Sequence, residues 1–106
     1  MSWNRTLKLD QIPIGATRNV EADGESLLLC RVANDEVYAI ENTCSHDDGP
    51  LGQGTLDGAH IQCPRHGAVF DVRTGQVMRM PAAAGIESFP VRVTQDGWIE
   101  VSVEDP

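Results

Sequence analysis

The sequence predicts an all-β protein built of antiparallel strands, and three observations carry that prediction. Short runs of β-branched, aromatic and aliphatic residues recur through the 106 residues. Clusters of Gly, Pro, Asn and Asp separate them at strand-length intervals. No stretch sustains the 3.6-residue apolar period of an amphipathic helix.

Taken in order, residues 6–10 suit a short first strand, closed by Ile12-Pro13-Ile14-Gly15. Residues 18–21 suit a second, ended by Asp23-Gly24, a strong turn signal because both residues tolerate positive φ. Residues 26–32 form a nearly continuous apolar run (Leu27, Leu28, Leu29, Cys30, Val32), and Asn34-Asp35 turns it back into 36–40, where Val37, Tyr38 and Ile40 favour a strand. From about 42 to 84 the character changes. Gly49, Pro50, Gly52, Gly54, Gly58, Pro64, Gly67, Gly75 and Pro81 predict loops with short strands between them, such as 60–63 and 68–72. Residues 89–94 and 98–103 then form a closing hairpin across Gln95-Asp96-Gly97. The outline is an antiparallel framework with a Gly-rich, loop-built insertion, the kind of place where a rigid scaffold positions functional side chains.

Charge and composition exclude several functions. With 16 acidic and 8 basic residues the formal net charge is −8. Nucleic-acid binding needs a basic surface to neutralise phosphates, so it is excluded, and an anionic membrane surface would repel the chain. No stretch approaches the length of a membrane span, and the first eight residues hold no apolar signal region. A cytoplasmic location is therefore expected. Three cysteines make a poor disulfide framework, and in a reducing compartment they suit metal binding.

The insertion holds Cys44-Ser45-His46, sixteen intervening residues, and Cys63-Pro64-Arg65-His66. Each half offers one thiolate and one imidazole at a spacing that lets both converge on one centre. Neighbouring glycines let backbone pass close by without a Cβ clash. Zinc could take all four ligands in a tetrahedron. Familiar zinc modules, however, pair Cys with Cys and His with His, whereas each loop here mixes the two. A [2Fe–2S] cluster with two Cys on one iron and two His on the other explains the mixing.

At these residues the chain resembles the Rieske ferredoxins, which carry C-x-H, a spacer of this length and C-x-x-H. The resemblance extends to Asp47-Asp48-Gly49-Pro50-Leu51, Gly54-Thr55-Leu56-Asp57-Gly58, Phe70-Asp71-Val72-Arg73-Thr74-Gly75 and Phe89-Pro90-Val91-Arg92-Val93. It implies the Rieske fold, an antiparallel β-sandwich with a small loop-built cluster-binding subdomain, as one domain over 1–106. It implies one [2Fe–2S] cluster, with Cys44 and Cys63 on the inner iron and His46 and His66 on the outer iron. The imidazoles would then lie near the surface as the electron port.

Departures from the family narrow the expectation. Rieske proteins of respiratory cytochrome bc complexes have two further cysteines, whose places here are Gly49 and Arg65. Their two hydroxyl donors to the cluster and its Cys ligand are replaced by Ala68 and Phe70. A donor to sulfur stabilises the more negative reduced state, so a potential in the lower part of the Rieske range of about −150 to +300 mV is expected. Rieske oxygenases add a catalytic domain with a mononuclear iron, and beyond the ligands only His60 remains here, too little for a facial triad. The resemblance thus implies a soluble, monomeric electron carrier rather than an enzyme. Its expected role is to pass single electrons from an NAD(P)H-dependent flavoprotein reductase to a terminal oxygenase. The alternatives within the family are the small subunit of an assimilatory nitrite reductase and a ferredoxin of Fe–S cluster assembly; outside it stands a zinc-binding structural module.

Other residues carry weaker expectations. His60 suits a surface or structural histidine, and Cys30 a buried inert thiol. Met78 and Met80 suit either ordinary packing or a cover beside the docking face. Trp3 and Trp98 suit core or edge packing. Asp47 and Asp48 form either an acidic rim that steers a basic partner or a solvated loop, and Arg65 either a contact near the cluster or a surface charge.

Overall fold

The computed structural model describes residues 3–44, 49–52, 54–64, 67–80 and 84–103. Among the described residues, eleven strands form three antiparallel sheets, and one 3₁₀ turn follows the first strand. β1 (Asn4–Lys8), β11 (Trp98–Val101) and β10 (Val91–Val93) make an outer sheet in the order β1-β11-β10. β2 (Thr17–Ala22), β3 (Glu25–Ala33), β4 (Glu36–Glu41) and β9 (Ser88–Phe89) make the central sheet. β5 (Thr55–Asp57), β6 (His60–Gln62), β7 (Val69–Asp71) and β8 (Val77–Arg79) make a small sheet inside the insertion.

The long apolar run of β3 is explained by its place. Leu27 and Leu29 face the outer sheet and pack with Ile12, Val37, Ala39, Ile99 and Val101. Leu28 and Cys30 face the other way and pack with Ile40, Ile61, Phe70 and Val72. A strand buried on both faces has no polar side to alternate with, so its sequence reads as continuous. All four side chains are fully buried, and each such leucine contributes about 1.5–3 kcal/mol relative to exposure. The central sheet therefore closes a sandwich on one side and supports the insertion on the other.

The turns follow their sequence signals. Asp23 (φ 52°) and Gly24 (φ 79°) sit between the paired residues Ala22 and Glu25, the positive-φ geometry that suits a two-residue hairpin. Asn34-Asp35 joins β3 to β4, and an extra residue at Val32 bulges β3 just before that turn.

Two expectations need correction. The first strand is shifted: it runs Asn4–Lys8, and Leu9–Gln11 forms a 3₁₀ turn, its start stitched by the Lys8 N–H donating to Gln11 Oε1 at 2.8 Å. The run 89–94 is not one strand. Pro90 has no N–H to donate, and the chain breaks there into β9, which pairs with β4, and β10, which pairs with β11. In the insertion, β5 and β8, which the sequence does not single out, complete a four-stranded sheet with the two anticipated strands. Three-residue strands between glycines carry too short a pattern to stand out in sequence.

Candidate cluster site

Cys44 follows β4 by three residues and Cys63 follows β6 directly. Both are buried, at 0% and 1% exposure, in the apolar cluster that also holds Leu51, Ala68 and Phe70. Backbone hydrogen bonds hold each loop at its cysteine. The Cys44 N–H donates to the Gly49 carbonyl at 2.7 Å. The Cys63 N–H donates to the Ala68 carbonyl at 2.7 Å, and the Gly67 N–H donates back to the Cys63 carbonyl at 3.2 Å. Gly67 has φ 80°, a left-handed conformation that a side chain would strain. Gly67 and Ala68 are thus both held against Cys63.

Two supports were not anticipated as functional from the sequence. Asn42 stands just before the first cysteine, and its Oδ1 accepts the Leu51 N–H at 2.9 Å. Its own N–H donates to the Ser26 carbonyl at 3.1 Å and its Nδ2 to Asn19 Oδ1 at 3.2 Å. One amide therefore ties the two ends of the first loop to the central sheet. The second support is the turn from Asp71 to Gly75. The buried Asp71 carboxylate accepts the Arg73 N–H at 2.9 Å and two guanidinium bonds, from Nε at 3.0 Å and Nη2 at 2.9 Å. The Asp71 carbonyl accepts the Gly75 N–H at 2.7 Å. The hydrogen bonds from Arg73 hold the Asp71 carboxyl below its ordinary pKa. Gly75 meets the Ile86 backbone so closely that a Cβ there would overlap the Ile86 carbonyl, while the Ile86 N–H donates to the Gly75 carbonyl at 2.8 Å. This closure returns the chain to the framework after the small sheet. The signals were present, as a lone Asn before Thr43-Cys44 and as Asp71-Val72-Arg73-Thr74-Gly75, but only long-range contacts reveal what each holds.

The remaining candidates sort as follows. Ala68 and Phe70 are fully buried beside the two cysteines, and neither side chain can donate a hydrogen bond. Cys30 is buried and desolvation pushes its thiol up to about 12, which keeps it protonated and unreactive. His60 is exposed on β6, opposite Asp71 on β7. Met78 and Met80 are 48% and 81% exposed, so ordinary core packing is ruled out for both. Trp98 on β11 and Trp3, directly before β1, are half-buried beneath cations: Arg92 stands 4.4 Å from the Trp3 ring, with Arg5 at 4.9 Å and Lys8 at 5.3 Å from the Trp98 ring. That is edge packing, and the core alternative falls. His46, His66, Asp47, Asp48 and Arg65 lie outside the described residues. No helix among the described residues is long and apolar enough to cross a membrane.

Two buried thiols sharing one apolar pocket, each on a glycine-bounded loop whose next residues include a histidine, fit a thiolate- and imidazole-bound iron–sulfur centre. Fold and site together define a small β-protein of the iron–sulfur electron-transfer class. The model of the Rieske [2Fe-2S] domain matches residues 2–90, and the chain belongs to that family and carries one Rieske [2Fe–2S] cluster. A ferredoxin component of naphthalene 1,2-dioxygenase/salicylate 5-hydroxylase systems from Ralstonia sp. is 35% identical over 92 residues, covering 87% of this chain and 88% of the relative. The ferredoxin of carbazole 1,9a-dioxygenase from Nocardioides aromaticivorans IC177 superposes with a TM-score of 0.92 at 32% identity, covering 98% of this chain and 100% of that one. A ferredoxin solved in complex with its oxygenase in carbazole 1,9a-dioxygenase gives a TM-score of 0.89 at 35% identity, over 98% of this chain and 95% of that one.

Proposed function

We propose that this chain is the single-electron carrier of a multicomponent oxygenase. It would take electrons from an NAD(P)H-dependent flavoprotein reductase and deliver them to a terminal oxygenase. In this reading residues 1–106 act as one domain, a cytoplasmic monomer that catalyses no reaction on a substrate itself. Cys44 and Cys63 hold one iron of the cluster, and His46 and His66 hold the other. The observation that carries the reading is the burial of Cys44 and Cys63 in a single apolar cluster. Two thiolates placed there exclude water from the sulfur side of the site and leave the histidine side as the route for electrons.

The bound cluster supplies one-electron redox chemistry. The protein's part is to hold the ligands still, so that little rearranges when charge changes, and to set the potential. Ala68 and Phe70 share the apolar cluster of the two cysteines, and neither side chain offers a hydroxyl to stabilise added negative charge. On that ground the carrier is expected in the lower part of the Rieske range of about −150 to +300 mV. The dioxygenase ferredoxins among the relatives favour this role over a nitrite reductase subunit or a cluster-assembly ferredoxin.

The test is direct. Purified protein should contain two irons and two acid-labile sulfides per chain, and dithionite reduction should produce a strongly anisotropic EPR signal. The reduced protein should then support turnover by a terminal oxygenase. One zinc without sulfide would sink the ligand assignment, and a cluster-bearing protein that reduces no oxygenase would sink the role.

A further inference from the structure

β8 is an edge strand of the small sheet, with β7 on one side and no strand on the other among the described residues. Its register carries an irregularity. Val69 pairs with Arg79 and Phe70 pairs with Val77, so Met78 is an extra residue bulged out of the ladder. Bulges at sheet edges re-aim a side chain and end pairing. Here the result is a short ridge, with Met78 48% and Met80 81% exposed on either side of an exposed Arg79. These are two of the four large apolar side chains left exposed among the described residues.

The ridge stands at the cysteine end of the sheet. Arg79 pairs with Val69 and Val69 with Gln62, the residue directly before Cys63. β8 runs toward that end, so Met80 lies farther along in the same direction. Arg79 also lines a groove of about 370 Å³ with His60, Gln62 and Val69. Among the described residues its guanidinium forms neither a hydrogen bond nor an ion pair, although the chain's net charge is −8.

Exposed methionines are suited to contact rather than to solvation. Their flexible, polarisable side chains re-pack against differing surfaces, a useful property in a carrier that must engage and release. An unpaired guanidinium between them sets the register by seeking a carboxylate. We propose that the Met78-Arg79-Met80 ridge is a docking surface for the terminal oxygenase, received by a patch in which one carboxylate is flanked by apolar side chains. This rests on the carrier reading above. Met78 and Met80 supply apolar contact area at the Cys63 end of the small sheet, and Arg79 fixes orientation.

The experiment uses the cluster-loaded full chain as electron donor to the terminal oxygenase of carbazole 1,9a-dioxygenase from Nocardioides aromaticivorans IC177. Product formation is followed against the concentration of photoreduced carrier for wild type, Met78→Ser/Met80→Ser and Arg79→Glu. The expected result is a KM for the carrier raised about tenfold in the double variant and several-fold in Arg79→Glu, with kcat, midpoint potential and EPR spectrum unchanged. Variants with wild-type KM would overturn the proposal alone. A lower kcat with a shifted midpoint would assign the methionines to shielding the cluster and overturn docking. A wild-type carrier that supports no turnover would overturn the carrier reading and this inference with it.

Discussion

The two faces of β3 look onto two different kinds of core. On the Leu27 and Leu29 side, the outer and central sheets close over a sandwich of aliphatic residues, on strands of up to nine residues. On the Leu28 and Cys30 side, the same strand supports a sheet of three-residue strands, two cysteine loops and glycine contacts that no side chain could replace. The sandwich side satisfies itself with apolar burial and regular hydrogen bonding. The insertion side has less regular structure, and its core is completed by the two buried cysteines proposed to hold the cluster. The framework is thus expected to tolerate change by degrees, and the insertion to hold or fail with its cluster.

The largest expected effect tests that division. Cys63→Ser should abolish the cluster's visible absorption and release amide protection in β5–β8, while β2–β4 remain protected from hydrogen exchange. Cys30→Ala, in the same apolar cluster, should keep full iron content and lose on the order of 1 kcal/mol of stability. Equal loss of iron in both variants would show that the pocket does not distinguish its cysteines.

Neighbouring leucines sharpen the comparison. Leu27→Ala and Leu28→Ala should each cost about 2–5 kcal/mol in chemical unfolding, since both side chains are fully buried. Only Leu28→Ala should also speed the release of iron to a chelator, because Leu28 packs in the cluster that holds Cys44 and Cys63. Matching release rates would mean that the two cores are one cooperative unit.

A smaller effect concerns tuning. Phe70→Tyr or Ala68→Ser should raise the midpoint potential by providing a hydroxyl donor beside the cysteines. Redox titration checks the sign, and an unchanged midpoint in both variants would remove the explanation for a low-potential carrier.

The smallest effect is a pH dependence. The Asp71 carboxyl is held below its ordinary pKa by hydrogen bonds from Arg73, so it binds fewer protons folded than unfolded. Its contribution is present above the unfolded carboxylate pKa and is lost as pH falls through the lower folded value. Asp71→Asn should therefore be less stable than wild type at neutral pH. The difference should narrow below about pH 4, as thermal melts at both pH values would reveal.

Much of this was legible in the chain. Alternating turn signals and β-branched runs determine the framework strands, because strand pattern and turn chemistry are local properties. The Cys-x-His and Cys-x-x-His spacings determine the ligand candidates for the same reason, and the 42–84 insertion announces itself by its glycines. Other features were decided only when the chain closed. Whether Leu28 or Leu29 faces the cysteines depends on which sheets lie either side of β3. The split at Pro90 depends on which strand can accept pairing on each side of it. Asn42 and Gly75 became supports only when Leu51 and Ile86 came within reach. Met78 and Met80 read equally as ordinary packing or as a cover beside the docking face until an edge strand and a bulge left them exposed. Local propensity and donor chemistry are written residue by residue, whereas burial, register and edge position belong to pairs of segments far apart in sequence.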